Sequence, residues 1–180
     1  MAYLHDINGF QLIDSSGFLL LDSEALNLIT DRTVQDVQTV IDLLSKGSAN
    51  WTDEERTLWL SGMKGAYNAA DLNRVESAVN YIVDRYKIAG IFPVVVTKDA
   101  WAMTEFMNKD EADRYLNNIR VLRSMLAMPA SVPEVPADMD KFTYQEANDI
   151  ENILLLIDSI ITNIIAAQYY SGEIYSGEVM

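Results

Sequence analysis

Four stretches of the chain share one arrangement of apolar and polar positions. Val37, Val40 and Leu44; Leu72, Val75, Val79 and Ile82; Ala112, Tyr115, Ile119 and Leu122; and Ala147, Ile150, Leu154 and Ile157 follow one another at three- and four-residue steps. That spacing predicts a buried stripe on each of four helices. Each stripe is preceded by the same opening: Thr33, Asn68, Asn108 or Thr143, with Asp36, Asp71, Glu111 or Glu146 three residues on. A Thr or Asn side chain accepts a hydrogen bond from a first-turn N–H, and the acid reaches back to the cap, which is a capping box with Asp replacing Glu in two copies. The acid also lies near the positive end of the helix dipole. Tyr67, Met107 and Phe142 precede three of the caps, and they predict hydrophobic staples onto Leu72, Ala112 and Ala147. The four openings lie 35, 40 and 35 residues apart, enough for a helix and a connection each.

A shorter fifth helix is expected in "WTDEERTLWLSGMKG", with Thr52 and Glu55 as a further capping box and Gly62 or Gly65 as the stop. The pattern then changes character. "GFQLIDSSGFLLLDS" places two apolar runs around "SSG" and predicts a β-hairpin turning at Gly17, followed by a brief helix or turn over 23–29. "IFPVVVTK" reads as one short strand or an extended connector, and "MPASVPEVPADMD" as an extended loop. The tandem "YYSGEIYSGEVM" reads either as a short edge strand able to add to a partner's sheet or as a frayed end. The expectation is a mainly α protein: a bundle of about four main helices plus a short fifth over 31–168. An N-terminal hairpin arm over 1–30 and a C-terminal tail over 169–180, a candidate strand, flank it.

The last helix, expected over 144–168, carries a second apolar series, Ile153, Leu156 and Ile160, beside the first, which continues through Ile161 and Ile164. A helix apolar on more than one face needs more cover than one neighbour provides. Its earlier turns are expected in the core and its later turns against another copy. Ile160, Ile161, Ile164, Tyr169, Tyr170, Ile174 and Tyr175 are the candidate oligomer interface.

Composition narrows the chemistry. Apolar residues make up 49% and charged residues 22%, the balance of an ordered globular protein. The apolar run "ILLLIDSIITNIIAA" is broken by Asp158, Thr162 and Asn163, so a buried helix is expected rather than a membrane span. The first residues lack the basic and apolar regions of a signal peptide, and synthesis in the cytoplasm is expected. There is no cysteine, and His5 is the one histidine. Disulfides, thiolate or histidine metal sites and a Ser-His-Asp triad are therefore not expected. Asp138 and Asp140 lack an EF-hand pattern. Net charge is −14, with all basic residues between Arg32 and Lys141 and both flanking segments purely acidic. Duplex nucleic acid is a poor partner for such a chain; its acidic ends are expected to serve solubility, with basic partner surfaces as the alternative.

One stretch does crowd acid, amide and base together: "NAADLNRVE" brings Asp71, Asn73, Arg74 and Glu76 within six positions. Asn73 nevertheless has counterparts in Gln38, Asp113 and Asn148 at the same distance from the other caps. A polar group that recurs with helix geometry points to structure, with Asp71 as a capping acid and Arg74 and Glu76 as surface or inter-helix polar residues. Trp51, Trp59 and Trp101 offer a second possibility, stacking platforms for a glycan or small ligand. A hydrolase working with carboxylates alone is a third, needing two acids in one cleft. No catalytic, cofactor-binding or metal-ligating residue and no cofactor is expected.

"TDRTVQDVQTVIDLL", the Trp-containing helix before "KGAYNAADLNRVESAVNYI", "RYLNNIRVLR", "ANDIENILLLI" and "SGEIYSGEV" together resemble small structural proteins of tailed bacteriophages and prophages of Gram-positive gut bacteria. The resemblance runs from Thr30 to Val179 and is most specific in "YNAADLNRVESAVNYI". It implies a non-enzymatic component of the tail tip, baseplate or fibre region. Such a protein would be a homo-oligomer docking other tail or baseplate proteins, assembled in the host cytoplasm and carried in the virion, with no membrane partner. The alternative within the same setting is a helical module that binds a small ligand or glycan.

Overall fold

Thr33, Thr52, Asn68, Asn108 and Thr143 each open a helix in the computed structural model, which describes residues 26–98 and 100–172. The helices are α1 (Val34–Lys46), α2 (Asp53–Ser61), α3 (Ala69–Ile88), α4 (Lys109–Ser124) and α5 (Tyr144–Gly172), with a single 3-10 turn, Ser48–Asn50, between the first two. At each start the cap and the acid exchange hydrogen bonds. Thr33 N–H donates to Asp36 Oδ2 at 2.8 Å while Asp36 N–H donates to Thr33 Oγ1 at 3.2 Å, and Thr143 and Glu146 repeat the arrangement. On α3 the Asn68 amide oxygen accepts from Ala70 N–H, and Asp71 Oδ2 accepts from Asn68 N–H. The Thr33 hydroxyl and backbone hold the Asp36 carboxyl below its usual range, and the Asn68-like contact of Asn108 N–H does the same for Glu111. Gly47 (φ 76°) and Gly62 (φ 89°) end α1 and α2 with left-handed turns.

Helices α3, α4 and α5 run parallel. Arg74 meets Glu151, Arg85 meets Asp158 and Thr162, and Ala89 meets Gln168, so contacts between α3 and α5 advance in the same direction. Glu76 meets Arg114 and Tyr86 meets Leu122, so α4 follows the same direction. Parallel neighbours need connections that travel back the length of the bundle. Those returns are extended straps. The second strap, 91–101, descends from Tyr86 to Asn73, touching Asn118, Asn80 and Glu111 on the way. The third, 126–142, descends along α4, where Glu134 pairs with Arg123 and Ala137 C=O accepts from Arg120. The first, 26–32, lies against α5 and α3 through Glu151, Asn148 and Asp71. "IFPVVVTK" is thus a connector, and no strand occurs among the described residues.

Each strap turns apolar side chains inward: Leu26 and Leu28; Ile91 and Val95; Met128, Val132, Val135 and Met139. They close over a core of Val75, Val79, Ile82, Tyr86, Tyr115, Leu116, Ile119 and Leu122. Ile150, Ile153, Leu154, Ile157 and Ile161 of α5 are each 0% exposed there. At about 1.5–3 kcal/mol for each such side chain, this face is the main source of the fold's stability. By length and composition Tyr144–Gln168 could cross a bilayer, with a mean hydropathy of 1.7. In this fold its apolar face is packed on α3 and α4, and Glu151 stands in the middle of that face.

The first helix departs from the expected plan. Its buried residues are Val40 and Leu43, which pack with Met63, Trp51, Trp59 and Ala66 in a separate small cluster, while Leu44 is half exposed. The core is therefore built on three helices, with α1 and α2 as an annex. The reason is angular. The apolar arc of α1 spans half its circumference from Leu43 round to Val34, and only the Leu43–Val40 side finds partners. Gly65 lets the α2–α3 connection lie against the backbone of α1, since a Cβ there would stand 2.1 Å from Asp36 C=O. Its role is close approach rather than helix termination. The last helix also runs past Gln168 to Gly172, which puts the backbone of Tyr169 and Tyr170 in helix. The expected N-terminal hairpin and the tail from Glu173 onward lie outside the described residues.

Candidate functional site

The crowded polar residues at the start of α3 open onto a buried ionic cluster. Arg32 extends from the first strap between α3 and α5, with its side chain 2% exposed. One of its terminal nitrogens donates to Asp71 Oδ1 at 2.8 Å and to Glu151 Oε1 at 2.6 Å. Arg74, one helical turn beyond Asp71, donates to Asp71 Oδ1 and to both oxygens of Glu151. Ile29 N–H completes Glu151 Oε2, and Asn68 N–H completes Asp71 Oδ2. The Tyr67 ring lies under the Arg32 guanidinium, 5.5 Å to its centroid. Two positive and two negative groups thus cancel, with Arg32, Asp71 and Glu151 buried and Arg74 partly open to solvent. Burial alone would lower the Arg74 pKa, but Glu151 and Asp71 outweigh it and push the pKa up.

Arg32 and Glu151 are the functional residues that the chain's local patterns do not reveal. A buried Glu reads as part of an acidic helix face, and its partner lies 119 residues away. Glu76 repeats the theme: it is 2% exposed and pairs with Arg114 at 2.6 Å. Arg74 and Glu76 are therefore inter-helix groups. Asp71 is both a capping acid and a cluster member.

Asparagine provides the second device. Asn73 accepts from Trp101 N–H at 2.6 Å and donates to Trp101 C=O at 2.9 Å. Asn148 accepts from Arg32 N–H and donates to Arg32 C=O, both at 3.0 Å. Asn118 does the same with Val96, at 3.0 and 2.7 Å. Each primary amide mimics a neighbouring strand, pairing with both polar groups of one strap residue. A strap buried in a helical groove has no sheet to satisfy its peptides, so these amides satisfy them instead. Asn73 and Asn148 hold the same position after their caps, the recurrence visible in the sequence.

This chemistry holds the straps in place. All four oxygens of Asp71 and Glu151 accept hydrogen bonds, which leaves neither carboxylate placed to take a proton from a substrate. The two carboxyls held above their usual range, Asp149 and Asp158, owe it first to burial; Arg85 at 3.2 Å opposes the shift at Asp158. Neither lines the cleft of about 480 Å³ at the N-terminal end of the bundle, which is walled by Tyr67, Leu72, Met107, Ala112, Met139 and Phe142. That cleft gathers the staple residues, and Asp140 is its one acid. Trp101 is 4% exposed and lies beneath the Lys98 ammonium, while Trp51 and Trp59 pack on each other at 5.3 Å in the annex. Among the described residues no group of three or more His, Asp or Glu side chains is placed to hold a metal ion.

Of the candidate interface residues, Ile161 belongs to the intramolecular core at 0% exposure and is withdrawn from the interface. Ile164 is half-buried and packs against the same core, and Ile160 is half-buried. The side chains of Tyr169 and Tyr170, and all of Ile174 and Tyr175, lie outside the described residues. No protein-family model, curated protein or solved structure matches the chain.

Proposed function

We propose that this chain is a non-enzymatic structural or adaptor protein of a tailed phage particle, from the tail tip, baseplate or fibre region, which self-assembles and docks partner proteins. One contrast carries the reading. The polar groups that suggest chemistry, Asp71, Asn73, Arg74, Glu76 and Glu151, each make intramolecular bonds, Glu76 through Oε1 alone, while large apolar side chains stand in solvent. Phe92 is 73% exposed, Val94 82% and Phe106 94%. An interior committed to rigidity and an apolar exterior suit a part that is built into something larger. The sequence resemblance supplies the setting: assembly in the bacterial cytoplasm and residence in the virion.

Native mass measurement of the full chain, with a pull-down against candidate tail and baseplate proteins, tests the proposal. A defined homo-oligomer or a stoichiometric complex is expected. A monodisperse monomer that captures none of them, at concentrations typical of assembly, overturns it.

A further inference from the structure

The second strap is extended, and its side chains alternate. Pro93 is buried and Val95 packs inward, while Phe92, Val94 and Val96 face solvent at 73%, 82% and 64% exposure. Asn118 and Arg114 hold the Val96 peptide from α4, and peptide groups alternate sides along an extended chain, so the outer edge is that of Pro93, Val95 and Thr97. The N–H and C=O of Val95 and Thr97 and the C=O of Pro93, which has no N–H, make no hydrogen bond among the described residues. An extended, β-branched, uncharged segment with free peptide groups has the properties of an open sheet edge. Soluble proteins guard such edges or use them.

The path of α5 indicates what this edge receives. Gln168 Nε2 donates to Ala89 C=O at 3.1 Å, so the end of α5 lies beside the start of the second strap. Helix continues to Gly172, which carries the chain about 6 Å further at 1.5 Å per residue. That extension points away from its own strap, which turns at Gly90 (φ 78°) and descends. Beyond Gly172 come Glu173 to Met180, rich in Ile, Tyr and Val. Extended, these eight residues reach about 26 Å, against about 16 Å for the five residues of the strap from Phe92 to Val96.

We infer that the outer edge of the second strap, at Pro93, Val95 and Thr97, receives the C-terminal segment 173–180 of a neighbouring copy as an added strand. This rests on the self-assembly reading above and names the contact that performs it. Each copy offers one edge and one tail, so the contact is heterologous and propagates into a ring or a filament.

The test compares native masses of the full chain, the chain truncated after Gly172, and the full-length Val94→Asp variant. A fluorescently labelled synthetic peptide of residues 172–180 is then titrated into the truncated chain, with and without Val94→Asp. The proposal expects an assembly from the full chain and monomers from the other two, which keep the helical circular dichroism and a cooperative thermal transition, at a midpoint no higher than that of the assembly. It also expects saturable peptide binding that Val94→Asp weakens by about tenfold or more. Assembly that survives truncation overturns this contact while leaving self-assembly in place. A monomeric full chain whose truncation opens a peptide site shows the tail paired within one copy, and overturns the exchange. A full chain that neither assembles nor captures tail proteins overturns both readings.

Discussion

Replacing Arg32 with methionine removes the guanidinium from the buried cluster but keeps most of the side-chain length. Two carboxylates, Asp71 and Glu151, then face one remaining cation, Arg74, and the cluster changes from neutral to −1. Glu151 is 0% exposed and cannot turn to water, while the Arg74 side chain, at 19%, is partly solvated. Breaking a buried pair by deleting one partner costs about 3–5 kcal/mol, because the other charge stays buried. The lower half of that range is expected, since Arg74 compensates in part. Net stability of such a domain is about 5–15 kcal/mol, so the variant becomes marginal. The thermal midpoint should fall by about 2–4 °C per kcal/mol at this chain length. Urea unfolding followed by circular dichroism measures the loss. The decisive comparison is the double variant Arg32→Met with Glu151→Leu. Well-packed apolar groups in place of both charges are often neutral or stabilising relative to a buried ion pair. The double variant should therefore be more stable than Arg32→Met alone. A loss under about 1 kcal/mol for Arg32→Met, within the range of an exposed pair, refutes the account. So does a double variant whose loss equals the sum of the single ones.

Two further outcomes follow from the same geometry. Asn73→Ala leaves both polar groups of Trp101 without their partner and should cost about 1–3 kcal/mol; hydrogen exchange at the Trp101 amide should rise well before global unfolding, and unchanged protection there would count against the strap account. Burial raises the pKa of the Tyr67, Tyr86 and Tyr115 phenols above the usual 10. A folded state that keeps protons which the unfolded chain releases loses stability as pH rises above that value. Absorbance titration should show these phenols resisting ionisation until the chain unfolds in alkali, and nine tyrosines titrating together near pH 10 in a still-folded chain would contradict it.

The helix starts were legible in the sequence because capping is local: one side chain and one N–H within a single turn decide it. The stripes of α3, α4 and α5 were legible for the same reason, as one apolar arc on each helix meets the core. α1 was not, because its arc is wide enough for two answers. Choosing Leu43 over Leu44 depended on Trp51, Trp59 and Met63 arriving from later in the chain. The ionic cluster is further from local reading. Arg32 precedes an exposed cap, and nothing in "TDRTVQD" marks it as the residue that enters the bundle. The straps were half legible. Their extended form follows from Pro93 and the proline-rich loop, but their burial depends on amides carried by other elements.

The recurrence of the caps carries more information than helix punctuation. Counting from each cap, position five is Asn73 on α3 and Asn148 on α5, both holding a strap. Position six is Arg74 on α3 and Arg114 on α4, and position eight is Glu151 on α5 and Glu76 on α3. Arg74 reaches Glu151, and Arg114 reaches Glu76. Position six of one helix meets position eight of another only if the helices run parallel from starts at one level, which the two ion pairs fix independently. Completing the circuit would set Asp149 of α5 against Leu116 of α4, and there no ion pair forms among the described residues. The α4–α5 junction is instead apolar, with Leu116 at 0% exposure. The arrangement is thus a three-part circuit with two charged joints and one greasy one, and the charged joints are those flanking α3. That both charged joints lie on α3 explains why "YNAADLNRVESAVNYI" carries acid, amide and base together: it supplies a partner to both neighbours and to two straps. Installing the missing joint with Asp149→Arg and Leu116→Glu tests the circuit. If the register holds, the double variant recovers stability that each single change loses; if the two changes are merely additive, the helices do not share that level.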